Sequence, residues 1–337
     1  MSHHNTLQLE VNPKTSKLDV GSVTELFRQA LQGYLEDISF KVFPLEYDER
    51  IEQGVLSFLH MQEFSTEEIR QTMPMVKWGA CIAACTYPST SVEAKVVIAI
   101  FTYLAIAVDD ISKKSLADLK AFHTRLLGRE RQPSALLRAI IPYIELQREV
   151  YGPFISDLIT TAFLGFINGC IIEMEYEAKL SPTPHTPEFP YYLRTKTGVA
   201  EPYALFAFPP DMFPEQSLPQ ILPLVPGLVQ FFNLNNDFLS FYKESIVSNE
   251  RQNYICNYAA TKNITIMQAL KETQCTLVKC ATDLRNAARE TNDAKMQQCI
   301  ESIVNGYIMY HFSATRYRLS DLDIQQIEDV RKMLVLG

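Results

Sequence analysis

The chain has 337 residues, of which 47% are hydrophobic and 21% charged, so it has enough apolar material for a large globular core. Its net charge is −8 and no run of basic residues occurs. This argues against a nucleic-acid partner, because binding phosphate backbones needs clustered Lys and Arg. An anionic ligand would have to be held by a few well-placed cations or by metal ions.

The first twenty residues, "MSHHNTLQLEVNPKTSKLDV", are polar and lack the apolar core of a signal peptide. We expect residues 1–20 to form a flexible arm ahead of one domain at residues 21–337, and we expect the protein in the cytoplasm. The seven cysteines are odd in number and scattered, which favours reduced, packed thiols. A structural zinc site involving Cys81 and Cys85 is the alternative.

From about Val23 onward, apolar residues recur at the three-and-four spacing of amphipathic helices. Strand-like alternation is rare, and fixed-period repeats are not evident. Pro-rich segments at 181–190 and 208–226 predict loops or short kinked segments. We therefore predict one all-α domain of ten or more helices. Among them are helices over residues 23–38, 47–62, 116–128, 134–151, 156–180, 265–290 and 295–318.

Two segments are apolar on more than one face, which is typical of helices in the middle of a bundle. The run Val96–Val108 has 13 residues, whereas a membrane span needs roughly 20. We read it as a buried core helix and expect no stable membrane association. The second segment carries Gly165, Asn168 and Gly169, which either line a cavity or allow close contact between helices.

Asp109 and Asp110 follow the first of these apolar runs directly. Two carboxylates at the C-terminal end of a helix face the negative end of its dipole, which is unfavourable. A bound divalent cation would offset this cost. The alternative is that the helix simply reaches the surface here.

Asn236, Ser240 and Glu244 lie four residues apart in "NDFLSFYKE". In an α-helix each four-residue step drifts by only about 40°, so the three side chains share one face. Amide, hydroxyl and carboxylate oxygens are a ligand set suited to Mg²⁺. A solvent-facing polar surface is the alternative, but the residues around the set are mostly aromatic or apolar.

Three cations could serve an anionic ligand, and each taken singly is more often a surface residue. Arg offers a planar fork for phosphate oxygens and Lys a point charge. The candidates are Arg194, Lys243 and Arg316.

Taken together, these motifs resemble the class I terpene synthases, and within them the fungal trichodiene synthase branch. The resemblance rests on "DDISK" after an apolar helix, on the order of "ND-x-x-S-x-x-x-E" after it, and on "TRYR" near the C-terminus. It covers roughly residues 20 to 325. It implies an α-helical bundle with a central active-site cavity.

The resemblance also assigns roles within that cavity. Asp109 would bridge two of three Mg²⁺ ions, and the Asn236, Ser240 and Glu244 set would hold the third. Arg194 would sense the diphosphate, with Gly198 as the effector at a helix break. Lys243, Arg316 and Tyr317 would bind the diphosphate, and Asp109, Arg194, Arg316 and Tyr317 would carry catalysis.

Two departures from that branch stand out. Lys113 and Lys114 occupy positions in "DDISKK" where the branch often has acidic residues. Thr197 lies between the sensor and effector positions, where Asp or Asn is common.

The implied reaction is ionisation of a linear isoprenoid diphosphate, most plausibly farnesyl diphosphate, and cyclisation of the carbocation to a sesquiterpene. The expected pocket residues are Phe101, Thr102, Ala105, Val229 and Phe232, with Trp78, Phe163, Phe166 and Tyr310 as weaker candidates.

Three rival functions remain open at this stage. A chain-elongating prenyl diphosphate synthase would carry two aspartate-rich motifs and no Asn/Ser/Glu set. A same-fold enzyme could capture the cation with an external nucleophile, forming a C–N or C–O bond. The chain could also be a non-catalytic helical interaction protein. The resemblance allows for a homodimer, which the composition does not demand.

Overall fold

The computed structural model describes residues 20–45, 47–112, 114–176, 179–180 and 182–335, and every regular element in them is helical. The predicted all-α class is therefore confirmed. Apart from Val20, the predicted N-terminal arm lies outside the described residues, as does Lys113. The α-helices are α1 (Val20–Asp37), α2 (Glu49–Met61), α3 (Thr66–Thr86), α4 (Val92–Ser112), α5 (Leu116–Leu127), α6 (Ala135–Tyr176), α7 (Phe189–Thr197), α8 (Ala200–Leu205), α9 (Leu218–Ile221), α10 (Val225–Phe241), α11 (Tyr254–Lys262), α12 (Ile266–Glu290), α13 (Ala294–Ser313) and α14 (Gln325–Val335).

Shorter helical segments continue several of these helices. A π-helix, Tyr242–Val247, follows α10 without a break. Short 3₁₀-helices lie at Glu215–Ser217, Leu222–Leu224, Thr315–Tyr317 and Leu319–Leu322.

Helix α4 lies at the centre and packs against α2, α3 and α6. Its side chains from Val97 to Leu104 are almost wholly buried, so the predicted core helix is confirmed. Fully burying a Val, Leu, Ile or Phe side chain stabilises a fold by about 1.5–3 kcal/mol. A helix apolar on every face can be accommodated only where neighbouring helices surround it.

Helix α6 merges the two helices predicted at 134–151 and 156–180 across a kink. Gly152 has φ 70° and ψ 170°, and Pro153 follows it. Side chains bridge the kink, because Gln147 Nε2 donates to the Ser156 carbonyl at 3.0 Å and Ser156 Oγ donates to the Gln147 carbonyl at 3.2 Å. Within the described residues, α6 is the one helix long and apolar enough to cross a membrane, and 44% of its most apolar window is buried inside the protein.

Gly169 settles one of the alternatives left open by the sequence. A Cβ atom there would lie 2.0 Å from the Lys196 carbonyl oxygen. Gly169 therefore serves a close contact between α6 and α7, and Asn168 is exposed. The contact fixes the end of α7 against the core, where Arg194 and Gly198 lie.

All seven cysteines are free thiols, and five of them are buried. Cys81 Sγ lies 3.8 Å from Cys85 Sγ and 3.0 Å from Ser313 Oγ. No group of three or more His, Cys, Asp or Glu side chains in the described part of the chain could hold a metal ion. The zinc alternative therefore gains no ligand set from the structure.

Candidate active site

A cavity of about 570 Å³ opens between α4, α6, α7, α8, α10 and α13. Its volume lies within the range of ligand pockets, roughly 300–1,000 Å³. Its lining comprises charged and amide groups on the one hand and apolar and aromatic side chains on the other. On α4 and α10 the oxygen donors follow the apolar lining residues by one to two turns, so the cavity has a polar and an apolar end. The first group comprises Asp109, Glu173, Arg194, Asn233, Asn236, Asp237, Lys243, Glu244, Glu250 and Arg316. The second includes Ile82, Ala105, Ile106, Phe166, Leu193, Tyr203, Phe232, Tyr307 and Tyr310.

Aromatic rings form the floor of the apolar end. The rings of Phe232 and Tyr307 lie 4.7 Å apart and nearly perpendicular, and the Tyr203 ring lies 5.9 Å from Phe232. Thr102 Oγ1 donates to the Ile98 carbonyl and lies 2.9 Å from the Tyr203 hydroxyl, which therefore donates to it. These hydroxyls satisfy each other, so the rings present mainly apolar surface to the cavity.

Two of the five expected pocket residues do not line the cavity. Phe101 is fully buried in the core, with its ring 5.1 Å from both Phe163 and Phe206. It lies eight residues before Asp109, a rotation of about 80° away from the face of that carboxylate. Thr102 and Ala105 stay within about 40° of that face and do line the cavity.

Val229 is the second residue that does not line the cavity. It precedes Phe232 by about one turn of α10. Phe232, nearer to Asn236, lines the cavity, and its ring packs on Tyr307. Of the weaker candidates, Phe166 and Tyr310 line the cavity. Phe163 belongs to the core around Phe101.

The Asn236, Ser240 and Glu244 set is placed by a change of helix type. Asn236 and Ser240 lie on α10, whereas Glu244 lies in the π-helix that begins at Tyr242. Four residues exceed one turn of an α-helix but fall short of one turn of the wider π-helix. The step from Ser240 to Glu244 therefore reverses part of the rotation around the helix axis that the step from Asn236 to Ser240 adds. Asn236 and Glu244 both line the cavity, and Ser240 is buried behind them.

Several buried polar groups near this set are only weakly hydrogen bonded, which fits a bound cation. Among the described residues Ser240 Oγ interacts weakly with the Glu244 carboxylate, and the Asn233 amide interacts weakly with Tyr191. Burial raises the pKa of Glu244 to about 7, and Glu250 and Asp237 add to the rise, although Lys243 opposes it. A divalent cation would supply the positive charge that this carboxylate lacks. The oxygen donor set suits Mg²⁺.

Arg194 is held by the helix that carries this set. Its Nε donates to Asp237 Oδ2 at 2.5 Å, and its Nη2 donates to Asn236 Oδ1 at 3.1 Å. Arg194 and Asp237 are 14% and 7% exposed. Burial raises the pKa of Asp237, and Arg194 acts against that rise. Asp237 is not among the residues predicted from the sequence, although its position beside Asn236 in "ND" is a usable signal.

Gly198 ends α7 in an extended conformation, with its N–H donating to the Arg194 carbonyl at 3.0 Å. A Cβ atom here would lie 2.4 Å from Arg194 Nη1 and 2.5 Å from Asn233 Oδ1. The guanidinium and the amide pack directly against the glycine backbone, so any larger residue at this position would displace them. The helix break predicted at Gly198 is present, and Thr197 also lines the cavity.

The Arg316 guanidinium packs against two aromatic rings. Its guanidinium carbon lies 4.9 Å from the centre of the Trp78 ring and 5.5 Å from that of Tyr317. Both Arg316 and Tyr317 line the cavity, and Trp78 does not. Trp78 therefore holds Arg316 from behind. Stacking on an aromatic ring limits the directions in which the guanidinium can point.

The remaining predicted residues are divided between the cavity and the surface. Asp109 lines the cavity, whereas Asp110 is exposed. Lys243 lines the cavity with Nζ 3.9 Å from Glu244 Oε1. Lys114 is exposed. The structure thus brings together Asp109, Arg194, Gly198, Asn236, Lys243, Glu244, Arg316 and Tyr317.

A buried histidine, His311, contacts the amide nitrogen of Asn236, whereas Arg194 contacts its amide oxygen. Asn236 Nδ2 lies 3.3 Å from His311 Nε2, and His311 Nδ1 lies 2.8 Å from the Tyr307 carbonyl oxygen. Burial lowers the pKa of His311 to about 3, so the ring is neutral near neutral pH. Nothing in the sequence pattern singled out His311.

Comparison with known proteins agrees with this architecture. The trichodiene synthase (TRI5) family model matches residues 23–332. An (E)-beta farnesene synthase of Metarhizium brunneum is 41% identical over 315 residues, covering 93% of this chain and 95% of that protein. Longiborneol synthase of Gibberella zeae is 29% identical over 251 residues, covering 73% of each chain.

Solved structures show the same fold at low identity. A linalool/nerolidol synthase from Streptomyces clavuligerus superposes with a TM-score of 0.58 at 14% identity, covering 81% of this chain and 99% of that one. A cucumene synthase variant gives a TM-score of 0.59 at 12% identity, covering 80% of this chain and 98% of that one. With the family match over nearly the whole length, the chain belongs to the trichodiene synthase family of terpene synthases.

Proposed function

We propose that this protein is a Mg²⁺-dependent lyase that ionises a linear isoprenoid diphosphate, farnesyl diphosphate, and cyclises the carbocation to a sesquiterpene, releasing diphosphate. One observation carries the proposal. Oxygen donors, cations and aromatic rings line one cavity, and on α4 and α10 the oxygen donors lie one to two turns beyond the apolar lining residues. A diphosphate and a hydrocarbon chain are the two parts of the substrate that the polar and the apolar end would receive.

The metal ions would be held at the polar end. Asp109 would contact two of three Mg²⁺ ions, and Asn236, Ser240 and Glu244 would hold the third. Mg²⁺ would neutralise charge on the diphosphate and make it a better leaving group. The weakly bonded, buried Ser240 hydroxyl and the raised pKa of Glu244 support this assignment.

The cations would bind the diphosphate itself. Arg194, Lys243, Arg316 and Tyr317 all line the cavity. A guanidinium offers two parallel donors to phosphate oxygens. Gly198 would respond as the effector, because its backbone touches Arg194. Thr197 lacks the carboxylate or amide common at its position, and the amide of Asn233 lies against Gly198 instead.

The apolar end would shelter the carbocation. Thr102, Ala105 and Phe232 line it, and water excluded from this end could not quench the cation early. The ring faces of Tyr203 and Tyr307 add electron-rich surface, and a desolvated cation–π contact is worth about 2 kcal/mol. The shape of this surface would decide which product forms.

An acyclic product is a second candidate, favoured by one observation. The 41% identical relative is named for (E)-beta farnesene, a hydrocarbon without a ring. The farnesyl cation would then lose a proton before ring closure, and the cavity would release an acyclic hydrocarbon with four double bonds, two of them conjugated. Capture by an external nucleophile is the remaining variant of the same first step.

The experiment is incubation of the protein with farnesyl diphosphate and Mg²⁺, followed by gas chromatography–mass spectrometry. A cyclic sesquiterpene supports cyclisation, farnesene supports the second candidate, and an adduct supports capture. Absence of any product would contradict all three. We also propose residues 21–337 as the catalytic domain and a cytoplasmic location, without a nucleic-acid partner or stable membrane association. A homodimer is tested by sedimentation.

A further inference from the structure

We propose that His311 is a positioning residue that fixes the orientation of the Asn236 amide, so that the amide oxygen faces the metal end of the cavity. This rests on the proposed function, since it concerns a residue assigned there to a metal ion. His311 itself does not line the cavity.

The hydrogen-bond chain determines which nitrogen of His311 carries the proton. A carbonyl oxygen can only accept, so the Tyr307 carbonyl, 2.8 Å away, requires a proton on Nδ1. The imidazole is fully buried, and within the described part of the chain its two hydrogen bonds are to an amide and a backbone carbonyl rather than to a carboxylate, so it is neutral. In a neutral imidazole the other nitrogen, Nε2, is an acceptor.

The orientation of the Asn236 amide follows from this acceptor. Only the NH₂ group of Asn236 can donate to His311 Nε2, at 3.3 Å. The oxygen Oδ1 must then point the other way, where Arg194 Nη2 donates to it at 3.1 Å. A carbonyl oxygen has two lone pairs, so one remains for a metal ion. With the amide reversed, an NH₂ group would face Arg194 and the cation.

The protein holds the His311 ring firmly enough to act in this way. The ring centres of Tyr317, Tyr307 and Tyr310 lie 4.3, 4.6 and 5.1 Å from that of His311. The imidazole therefore has little room to turn. Residues that orient metal ligands typically affect metal affinity or activity by about 10–100-fold when changed.

The test compares two substitutions of His311. If His311 only fills space, the variant that keeps a ring should be the less damaging one; if His311 orients Asn236, the variant that keeps an acceptor should be. His311→Phe keeps a ring in the aromatic surroundings but removes the acceptor. His311→Gln loses the ring but can place an amide oxygen near the position of Nε2. His123→Phe is the matched control, because His123 lies outside the cavity with Nε2 3.2 Å from the Leu164 carbonyl.

The measurement is Mn²⁺ affinity in the presence of inorganic pyrophosphate, by electron paramagnetic resonance, with the melting temperature recorded for each variant. We expect His311→Phe to bind Mn²⁺ about 10-fold or more weakly, His311→Gln to stay closer to the wild type, and His123→Phe to be unchanged. If His311→Phe binds as tightly as the wild type, or if His311→Gln binds no better than His311→Phe, the inference is overturned. If the wild-type protein fails to bind Mn²⁺ with pyrophosphate, the proposed function itself fails.

Discussion

The buried ion pair between Arg194 and Asp237 allows a prediction with a worked magnitude. In Asp237→Asn, the amide oxygen can still accept from Arg194 Nε, but the negative charge is lost. Removing one partner of a buried pair costs about 3–5 kcal/mol, and the retained hydrogen bond favours the lower figure. We therefore expect the free energy of unfolding to fall by about 3 kcal/mol.

This loss can be converted into a melting temperature. An unfolding entropy of about 2.1 cal/mol/K per residue amounts to about 0.7 kcal/mol/K for 337 residues. The melting temperature of the ligand-free variant should then fall by about 4 °C in scanning calorimetry. A diphosphate would supply the missing negative charge beside Arg194. Added Mg²⁺ and inorganic pyrophosphate should therefore raise the melting temperature more in Asp237→Asn than in the wild type.

A double variant provides the control. Arg194→Gln combined with Asp237→Asn removes both charges, so its melting temperature should lie above that expected from adding the two single losses. It should also lack the enhanced response to pyrophosphate. Asp237→Asn with wild-type stability, or a double variant whose losses simply add, would refute the reasoning.

Three further predictions concern the same cavity. Gly198→Ala should weaken pyrophosphate binding in calorimetry, because the new Cβ displaces the guanidinium packed against it; unchanged affinity would contradict the close contact. The pKa of Glu244, raised from 4.5 to about 7, means that the folded metal-free protein holds a proton there that the unfolded chain releases. The free energy of unfolding of the metal-free protein should therefore decrease as the pH rises from about 4.5 to about 7. If this free energy has the same pH dependence in the wild type and in Glu244→Gln, the prediction is wrong. Phe232→Leu should change the product ratio, whereas Phe101→Leu should lower the melting temperature alone; the reverse pattern would misplace the cavity floor.

The sequence predicted the helical class and the main site residues for identifiable reasons. An apolar run followed by carboxylates, as at Val96–Asp110, predicts both that the helix is buried and where its buried part ends. The Asn236, Ser240 and Glu244 spacing carries a shared helical face without any knowledge of the fold. Both signals are local, and local periodicity is what a sequence displays most directly.

The pocket wall was predicted less well because it depends on rotation over longer stretches. Counting back from Asp109 gives the correct face at Ala105 and Thr102, but an eighth residue has rotated into the core at Phe101. Val229 shares the face of Asn236, yet along α10 the cavity lining reaches only as far as Phe232, about one turn nearer to Asn236. How deep a cavity extends is set by all the helices around it, so it leaves no local pattern in the sequence.

Partners distant in the chain were missed for a related reason. Asp237 and His311 take part in the site through contacts with Arg194 and Asn236 that only the folded chain creates. The π-helical turn at Tyr242–Val247 was also missed, since the spacing argument assumed an α-helix throughout. It improves the alignment of Glu244 with Asn236.

Release of pyrophosphate from farnesyl diphosphate tests the central claim most directly, because every proposed outcome begins with that step. The account predicts release by the wild-type protein with Mg²⁺, none after chelation by EDTA, and loss of release in Asn236→Ala. Asn168→Ala, which changes an exposed asparagine on α6, should keep wild-type release. Release that persists in Asn236→Ala or without divalent cations would contradict the account, as would a wild-type protein that leaves farnesyl diphosphate intact.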